Sequence, residues 1–360
     1  MKKKCDQRPM YIGELPPPMG GVTVKNELLI NSVFSELNPE IINIYTYTRA
    51  VWKLPLLFLK LLKANKNEQI IYIGSGSLKR FELLLWLINF IGGEKFLSRV
   101  NTFVMGGMFT EYLKEHKKCL KYTKKTGNIF YELHRMEKES VQLGIKNNVY
   151  FPNCRDGSFK RIPHDMHSDK PIRLLHFSTV NREKGVPELL KMSKILDREG
   201  ILFNLDIFGE IAKDYEDEFR REIQEAPNTH YLGVKRCSDE ELYNLISSYD
   251  VFLLATHWRG ESCVGVLVES KVSGIPAIVT DWKYNSEVVR NGEEGIVVEF
   301  GSVDEVGERF ANAVIELYCN VDRYRKLSNG ASASVERYDF NVYLPKIKKI
   351  VEDQLYGVVE

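Results

Sequence analysis

The sequence predicts an α/β protein of two doubly wound, Rossmann-like domains facing a cleft. Three observations carry this. The chain has 360 residues, which suits two domains better than one. Strand-type apolar runs alternate with segments of helical apolar spacing along its whole length, the pattern of parallel sheets. The alternation lapses once, from Cys154 to Lys170 (CRDGSFKRIPHDMHSDK), a polar stretch that reads as an interdomain linker.

In the first half, MYIGEL is a short strand and PPPMGG breaks the chain at Gly20-Gly21. VTVKNELLINSVFSEL has helical spacing. QIIYIG is a strand, SLKRFELLLWLINFIGG a helix closed by glycines, and VNTFVMGG a strand entering a glycine turn. GNIFYELH and NNVYFPN are shorter strands. In the second half the strands are RLLHFST, FNLDIFG, HYLGV, VFLLAT, AIVTD and GIVVEF, with helices between them. Ser238 followed by Glu241 is a capping box that starts one of these helices.

The composition is that of an ordinary globular protein, 44% hydrophobic and 28% charged, with a net charge of +1. Halving the chain changes the picture. Residues 1–160 carry 25 Lys and Arg against 14 Asp and Glu, a net +11. Residues 161–360 carry 25 against 35, a net −10. The basic half calls for an anionic surface or ligand. The six cysteines, Cys5, Cys119, Cys154, Cys237, Cys263 and Cys319, form no C-x-x-C, which argues against zinc and thioredoxin-type sites. MKKKCDQRPM has a basic start but no apolar core, so no signal peptide is expected, and a cytoplasmic location follows by default.

Ligands of doubly wound sheets sit at the carboxyl ends of the strands. Four post-strand segments of the second half are rich in chemistry. They are Asn181 to Gly185, Gly209-Glu210, Gly233 with Lys235 and Arg236, and His257 to Glu261. Lys184 and Arg182 put positive charge where a phosphate would sit. At a helix start a lysine opposes the dipole, which favours a functional reading. Cys263 to Val266 reads as another helix start, with backbone N–H groups open to an anion and Gly265 allowing close approach. Glu269 lies past the first turn of that helix and Glu261 lies before it. Carboxylates repel phosphate but accept hydrogen bonds from sugar hydroxyls. A single glutamate early in a helix also compensates the dipole; the combination with Lys184 and the glycines does not reduce to that.

REKGVPELL, DIFGE, HYLGVKRCSDEELYNLISSYDVFLLAT, ESCVGVLVESKVSGIPAIVTD, SEVVRNGEEGIVVE and YFPN, in this order bar the last, resemble the retaining GT-B glycosyltransferases of glycosyltransferase family four, the glycosyl transferases group 1. The resemblance covers about Arg173 to Glu299 and extends more weakly to Gly20-Gly21 and Phe151-Pro152-Asn153. It implies an acceptor-binding domain at 1–160, a nucleotide-sugar-binding domain at 165–339, and a last helix, 340–360, crossing back to the first domain. It implies catalytic roles for Lys184, at the donor diphosphate, and Glu261, at the transferred sugar. Glu269 would hold the ribose hydroxyls, and the amides of Val264, Gly265 and Val266 the distal phosphate. Gly209, Lys235 and Arg236 would line the base region, and Gly20 and Gly21 would close over the donor from the first domain. The family's arginine five residues before the lysine is Thr179 here, with Arg182 as the candidate substitute. Ser262-Cys263-Val264 stands where Gly-Phe-Gly is common. The first-domain histidine is missing at Gly106-Gly107, and His134 is a poor stand-in.

The implied reaction is a retaining transfer of a hexose-type sugar from a UDP or GDP donor to a glycan or lipid-linked glycan acceptor in surface polysaccharide synthesis. It would use no metal and no cofactor. No nucleic acid is expected as a partner. A nucleotide-sugar epimerase and a catalytically degenerate nucleotide-sugar-binding protein are the alternatives. Val51 to Lys66 (VWKLPLLFLKLLKANK) mixes Trp, Leu and Phe with lysines, and Lys114 to Lys125 is densely basic. The first segment suits either a core helix with solvated lysines or an interfacial helix; the charge of its half tips the reading towards the anionic inner face of a cell membrane.

Overall fold

The computed structural model describes residues 8–17, 20–166 and 169–356. Residues 1–7 with Cys5, part of the PPPMGG breaker, and the end of the expected last helix lie outside them. The chain divides into two compact units, Met1–Pro152 with Asn341–Glu360, and Asn153–Phe340.

The first unit holds β1 (Met10–Gly13), β2 (Glu40–Asn43), β3 (Ile71–Ser75), β4 (Val100–Val104), β5 (Ile129–Tyr131) and β6 (Asn148–Tyr150). All pairings are parallel, in the order β2-β1-β3-β4-β5-β6. The order reverses between β1 and β3, the switch point of a doubly wound sheet. Asn26 stitches that point together. Its amide donates to the carbonyls of Glu14 (2.8 Å) and Gly74 (2.9 Å), and Tyr11 Oη donates to its Oδ1 at 2.6 Å. β2 is absent from the strand pattern read above. EIIN is four residues long and sits at the sheet edge, too short for a periodicity to register. The helix Leu78–Leu97 does not stop at its glycines. Gly93, at φ 58°, breaks it and one more turn follows.

The second unit holds β7 (Ile172–Phe177), β8 (Phe203–Phe208), β9 (Thr229–Gly233), β10 (Val251–Leu254), β11 (Ala277–Thr280) and β12 (Gly295–Val298). Their order is β12-β11-β10-β7-β8-β9, again all parallel, with the switch point between β7 and β10. The central strands β10 and β11 are continuous buried runs because helices cover both faces of such a sheet. Leu174, Leu189, Leu205, Leu253 and Phe310 are among the fully buried residues of its core. The Ser238 capping box forms, with Ser238 N donating to Glu241 Oε2 at 2.8 Å.

The stretch read as a linker is built into the second unit. Arg161 N donates to Val272 O at 2.7 Å, His164 Nε2 lies 2.7 Å from Asp250 Oδ1, and Met166 is buried in the core. It lacks periodicity because it is held by isolated backbone and side-chain bonds rather than by a ladder. The C-terminal helix, Phe340–Tyr356, carries Gln354 and Lys348. Gln354 bonds Tyr72 (2.9 Å) and Asn101 (2.7 Å), and Lys348 pairs with Glu36 at 2.7 Å, so the helix packs on the first unit.

Candidate functional site

The switch point of the second sheet brings two post-strand loops together. The loop after β7 carries Asn181 to Lys184 and the loop after β10 carries Thr256 to Glu261. His257 N donates to Glu183 O at 2.8 Å, joining the loops. Asn181 Oδ1 accepts from Lys184 N at 2.7 Å and shapes the turn. Gly185, at φ 80°, starts the helix Val186–Arg198. A Cβ there would lie 2.2 Å from Ala255 O, so only glycine allows the loops to approach this closely.

Lys184 and Glu261, 77 positions apart, meet across this junction. Lys184 Nζ forms an ion pair and hydrogen bond with Glu261 Oε1. Thr256 Oγ1 donates to the same oxygen at 2.8 Å. Glu261 is buried, and this pair supplies the partner that a buried carboxylate needs. Lys184 Nζ also sits 4.4 Å from the centroid of the Trp258 ring, a cation–π contact. Trp258 O accepts from Trp282 Nε1 at 2.8 Å, which fixes the loop. His176 of β7 is fully buried, with Nδ1 3.2 Å from Leu253 O. Burial first, with the Lys184 charge a further cause, pushes its imidazole down to about 4. It is therefore neutral and leaves the positive charge to Lys184.

The helix Gly265–Val272 follows, with Val264 as its N-cap residue in extended conformation and no side chain capping it. The first-turn amides of such a helix have no intrahelical acceptor. Glu269 is one turn further on. Arg155 reaches it with a fork: Nε donates to Glu269 Oε1 at 2.9 Å and Nη2 to the same oxygen at 2.7 Å. Arg155 Nη1 donates to Asn153 Oδ1 (3.0 Å) and Cys154 O (2.8 Å), and Asn153 Nδ2 donates to Cys263 O at 2.9 Å. The guanidinium lies over the helix start; a Cβ on Gly265 would come within 2.4 Å of Nη2. Burial opposes the Arg155 charge and the Glu269 carboxylate more than offsets it, so its pKa lies above the ordinary value. Arg155 is the residue that sequence reasoning missed. Its one signal was adjacency to Phe151-Pro152-Asn153.

The other expected residues fall at different distances from this centre. Gly209 is required by geometry: at φ 147°, a Cβ would sit 1.8 Å from Ser178 O, where β8 and β7 end side by side. Lys235 and Arg236 are exposed in the segment after β9. Arg182 does not join Lys184. Its guanidinium pairs with Glu218, donates to Asp214 O at 3.2 Å and stacks over the Tyr215 ring at 4.8 Å. Local charge at a post-strand position suggested a phosphate ligand; Glu218 of the helix Glu216–Gln224, with Asp214 and Tyr215 just before that helix, takes it instead.

In the first unit, Gly20 and Gly21 open the helix Gly21–Ser32 and are exposed. They line a cavity of about 350 Å³ at that sheet's own switch point, together with Glu14, Tyr45, Ser77 and Arg80. Glu14 is buried and accepts from Arg80 Nη1 (2.7 Å), Gly76 N (3.1 Å) and Ser75 Oγ (3.2 Å).

Residues 159–332 match the family described as glycosyl transferases group 1. The chain carries a domain of the glycosyl transferases group 1 family. Lys184, Glu261, Gly265 and Glu269 all lie within that group 1 domain, while Arg155 lies just outside the matched span. The chain is 27% identical over 160 residues to a putative glycosyltransferase, EpsF, of Bacillus subtilis (strain 168), covering 43% of this chain and 40% of that one. It is 25% identical over 175 residues to the capsular polysaccharide biosynthesis glycosyltransferase CapM of Staphylococcus aureus, covering 48% and 44%. The chain thus spans less than half the length of these relatives. Among solved structures, Anabaena Alr3699/HepE in complex with UDP and glucose superimposes with a TM-score of 0.69 at 14% identity, covering 98% of this chain and 100% of that one. At that identity the likeness shows the fold, which is GT-B.

Proposed function

We propose that this protein is a retaining glycosyltransferase that moves a hexose-type sugar from a UDP-sugar to a glycan or lipid-linked glycan in surface polysaccharide synthesis. The observation that carries the reading is the Lys184–Glu261 pair standing beside the uncapped helix Gly265–Val272, with Glu269 one turn in. The group 1 domain and the UDP and glucose held by a structure of the same fold support the choice of donor. The capsular relative supports the pathway class.

In this reading the donor's arrival separates the ion pair. Lys184 moves to the diphosphate, and Glu261 accepts hydrogen bonds from hydroxyls of the transferred sugar. The amides of Val264, Gly265 and Val266 hold the distal phosphate, and Glu269, steadied by Arg155, receives the ribose hydroxyls. The anomeric C–O bond breaks with its electron pair going to the phosphate oxygen. The site's work is to stabilise that growing negative charge, a role this reading gives to Lys184 and the helix start. The acceptor oxygen bonds to the anomeric carbon on the same face and its proton passes to the leaving phosphate, so configuration is retained without a metal or a protein base. The acceptor is assigned to the first unit, whose Glu14–Arg80 cavity is a candidate for its hydroxyls. The enzyme works in the cytoplasm, peripherally on the inner face of the membrane. Among the described residues no helix is long and apolar enough to cross a membrane.

The test is calorimetric titration with UDP, GDP and ADP, followed by transfer assays with the matching sugar nucleotides and a chelator present. UDP binding with acceptor-dependent sugar transfer supports the proposal. An isomerised sugar nucleotide formed without acceptor would make the protein an epimerase, and binding with neither transfer nor donor hydrolysis would make it a non-catalytic binder.

A further inference from the structure

Two neighbouring helices of the first unit turn apolar side chains away from the core. Along the turn Val51–Lys53 and the helix Leu54–Lys66, the inward positions Leu57, Leu61 and Ala64 are buried. The outward stripe is Trp52, Leu56 and Leu59, with exposures of 74, 51 and 59%. Along Leu78–Leu97, Phe81, Leu84, Leu85 and Ile88 are buried, and Leu83, Trp86 and Phe90 form the outward stripe. The spacings, 52-56-59 and 83-86-90, are those of one helical face. The stripes adjoin, because the Phe58 and Phe90 rings lie 6.4 Å apart and Trp86 stacks on Phe90 at 5.8 Å. An exposed apolar face of this extent, holding two tryptophans, marks an interaction surface.

Lysines predominate around it, although Glu68, just past the first helix, is also exposed and pairs with Lys95. Lys63 and Lys66 end the first stripe, and Lys79 begins the second; all three are exposed. The short helix Lys117–Thr123 packs against Leu78–Leu97 and adds exposed Lys117, Lys118 and Lys121. The only acids on the two striped helices are Glu82 and Glu94. Glu82 is held by Tyr112 and His116, and Glu94 by Lys125.

We propose that this face, Trp52-Leu56-Leu59 with Leu83-Trp86-Phe90 inside a lysine border, docks on an anionic lipid bilayer. Apolar and aromatic side chains seat at the headgroup–acyl boundary, and the lysines extend to lipid phosphates while their stems cover apolar surface. A second copy of the chain fits poorly. A two-fold contact repeats the same patch on both sides and sets the lysine borders against each other. The inference deepens the proposed membrane-side role and rests on it for its biological setting. Its test needs neither donor nor acceptor, so failure here leaves the transferase reading intact, and failure of UDP binding leaves this face intact.

The experiment is flotation of the full chain with phosphatidylcholine vesicles, with and without phosphatidylglycerol, across a salt series. Wild type is expected to float with the anionic vesicles and to be released by salt. The Trp86→Ser/Phe90→Ser variant is expected to partition at least roughly tenfold more weakly. Lys63→Ala and Lys66→Ala are each expected to weaken binding to anionic vesicles about fivefold. Circular dichroism and melting verify that these surface variants are folded. Three results overturn the proposal: no flotation of wild type, unchanged flotation of the folded variants, or concentration-dependent dimerisation abolished by Trp86→Ser/Phe90→Ser.

Discussion

Arg155→Gln removes the two hydrogen bonds, 2.9 and 2.7 Å, that one oxygen of Glu269 receives from the guanidinium, and with them its charge partner. Breaking a buried ion pair by deleting one member costs about 3–5 kcal/mol. The side chains here keep 17% and 12% of their exposure, so water relieves part of the penalty and about 2–3 kcal/mol is expected. The measurement is urea unfolding with the transitions of the two units fitted separately, because two-state treatment applies to each unit and not to the pair. A double-mutant cycle with Glu269→Gln isolates the interaction, with an expected coupling of about 2 kcal/mol. Arg155→Lys keeps the charge but not the fork and should recover only part of the loss. If Arg155 also steadies Glu269 for the ribose, Arg155→Gln should weaken UDP binding roughly tenfold, as one charge-assisted contact would. Stability within about 0.5 kcal/mol of wild type, with no coupling and unchanged UDP affinity, would refute the reasoning.

Three further outcomes follow from the same geometry. Lys184→Ala and Glu269→Ala should each lower sugar transfer at least a hundredfold while the protein stays folded, and full activity in either would sink the site assignment. Gly209→Ala sets a Cβ against Ser178 O at φ 147° and should cost about 2 kcal/mol or more in thermal unfolding; an unchanged melting temperature would contradict the close approach. Burial pushes the Glu188 carboxyl up to about 7. Its folded pKa exceeds its unfolded one, so the stability tied to its neutral form is present below the usual carboxyl range and is lost as pH rises through about 7. Glu188→Gln should remove that fall, on the order of 3 kcal/mol between pH 4 and 8, and an unaltered pH profile of unfolding would count against it.

The sequence alone set the two alternating halves, because the apolar period of a strand or helix is written locally. It also determined which residues stand just after strands, and so Lys184, Glu261 and the helix start at Gly265. Contacts between distant positions were beyond it. Asp214, Tyr215 and Glu218 take Arg182 away from the centre, while Glu261, far along the chain, takes Lys184 into it. No spacing rule separates those two cations, since the partner of each is set by packing. Arg155 was hidden in a stretch whose lack of period read as a linker, yet long-range side-chain bonds bind it to Glu269. The run SLKRFELLLWLINFIGG read as a helix closed by glycines, and only its packing shows that Trp86 and Phe90 face outward. Local pattern fixes what most elements are, though not always where they end, as the helix Leu78–Leu97 running past its glycines shows. Which charges meet, and which apolar faces stay uncovered, is decided when the elements pack, because only then do residues far apart in the chain compete for the same partner and the same water.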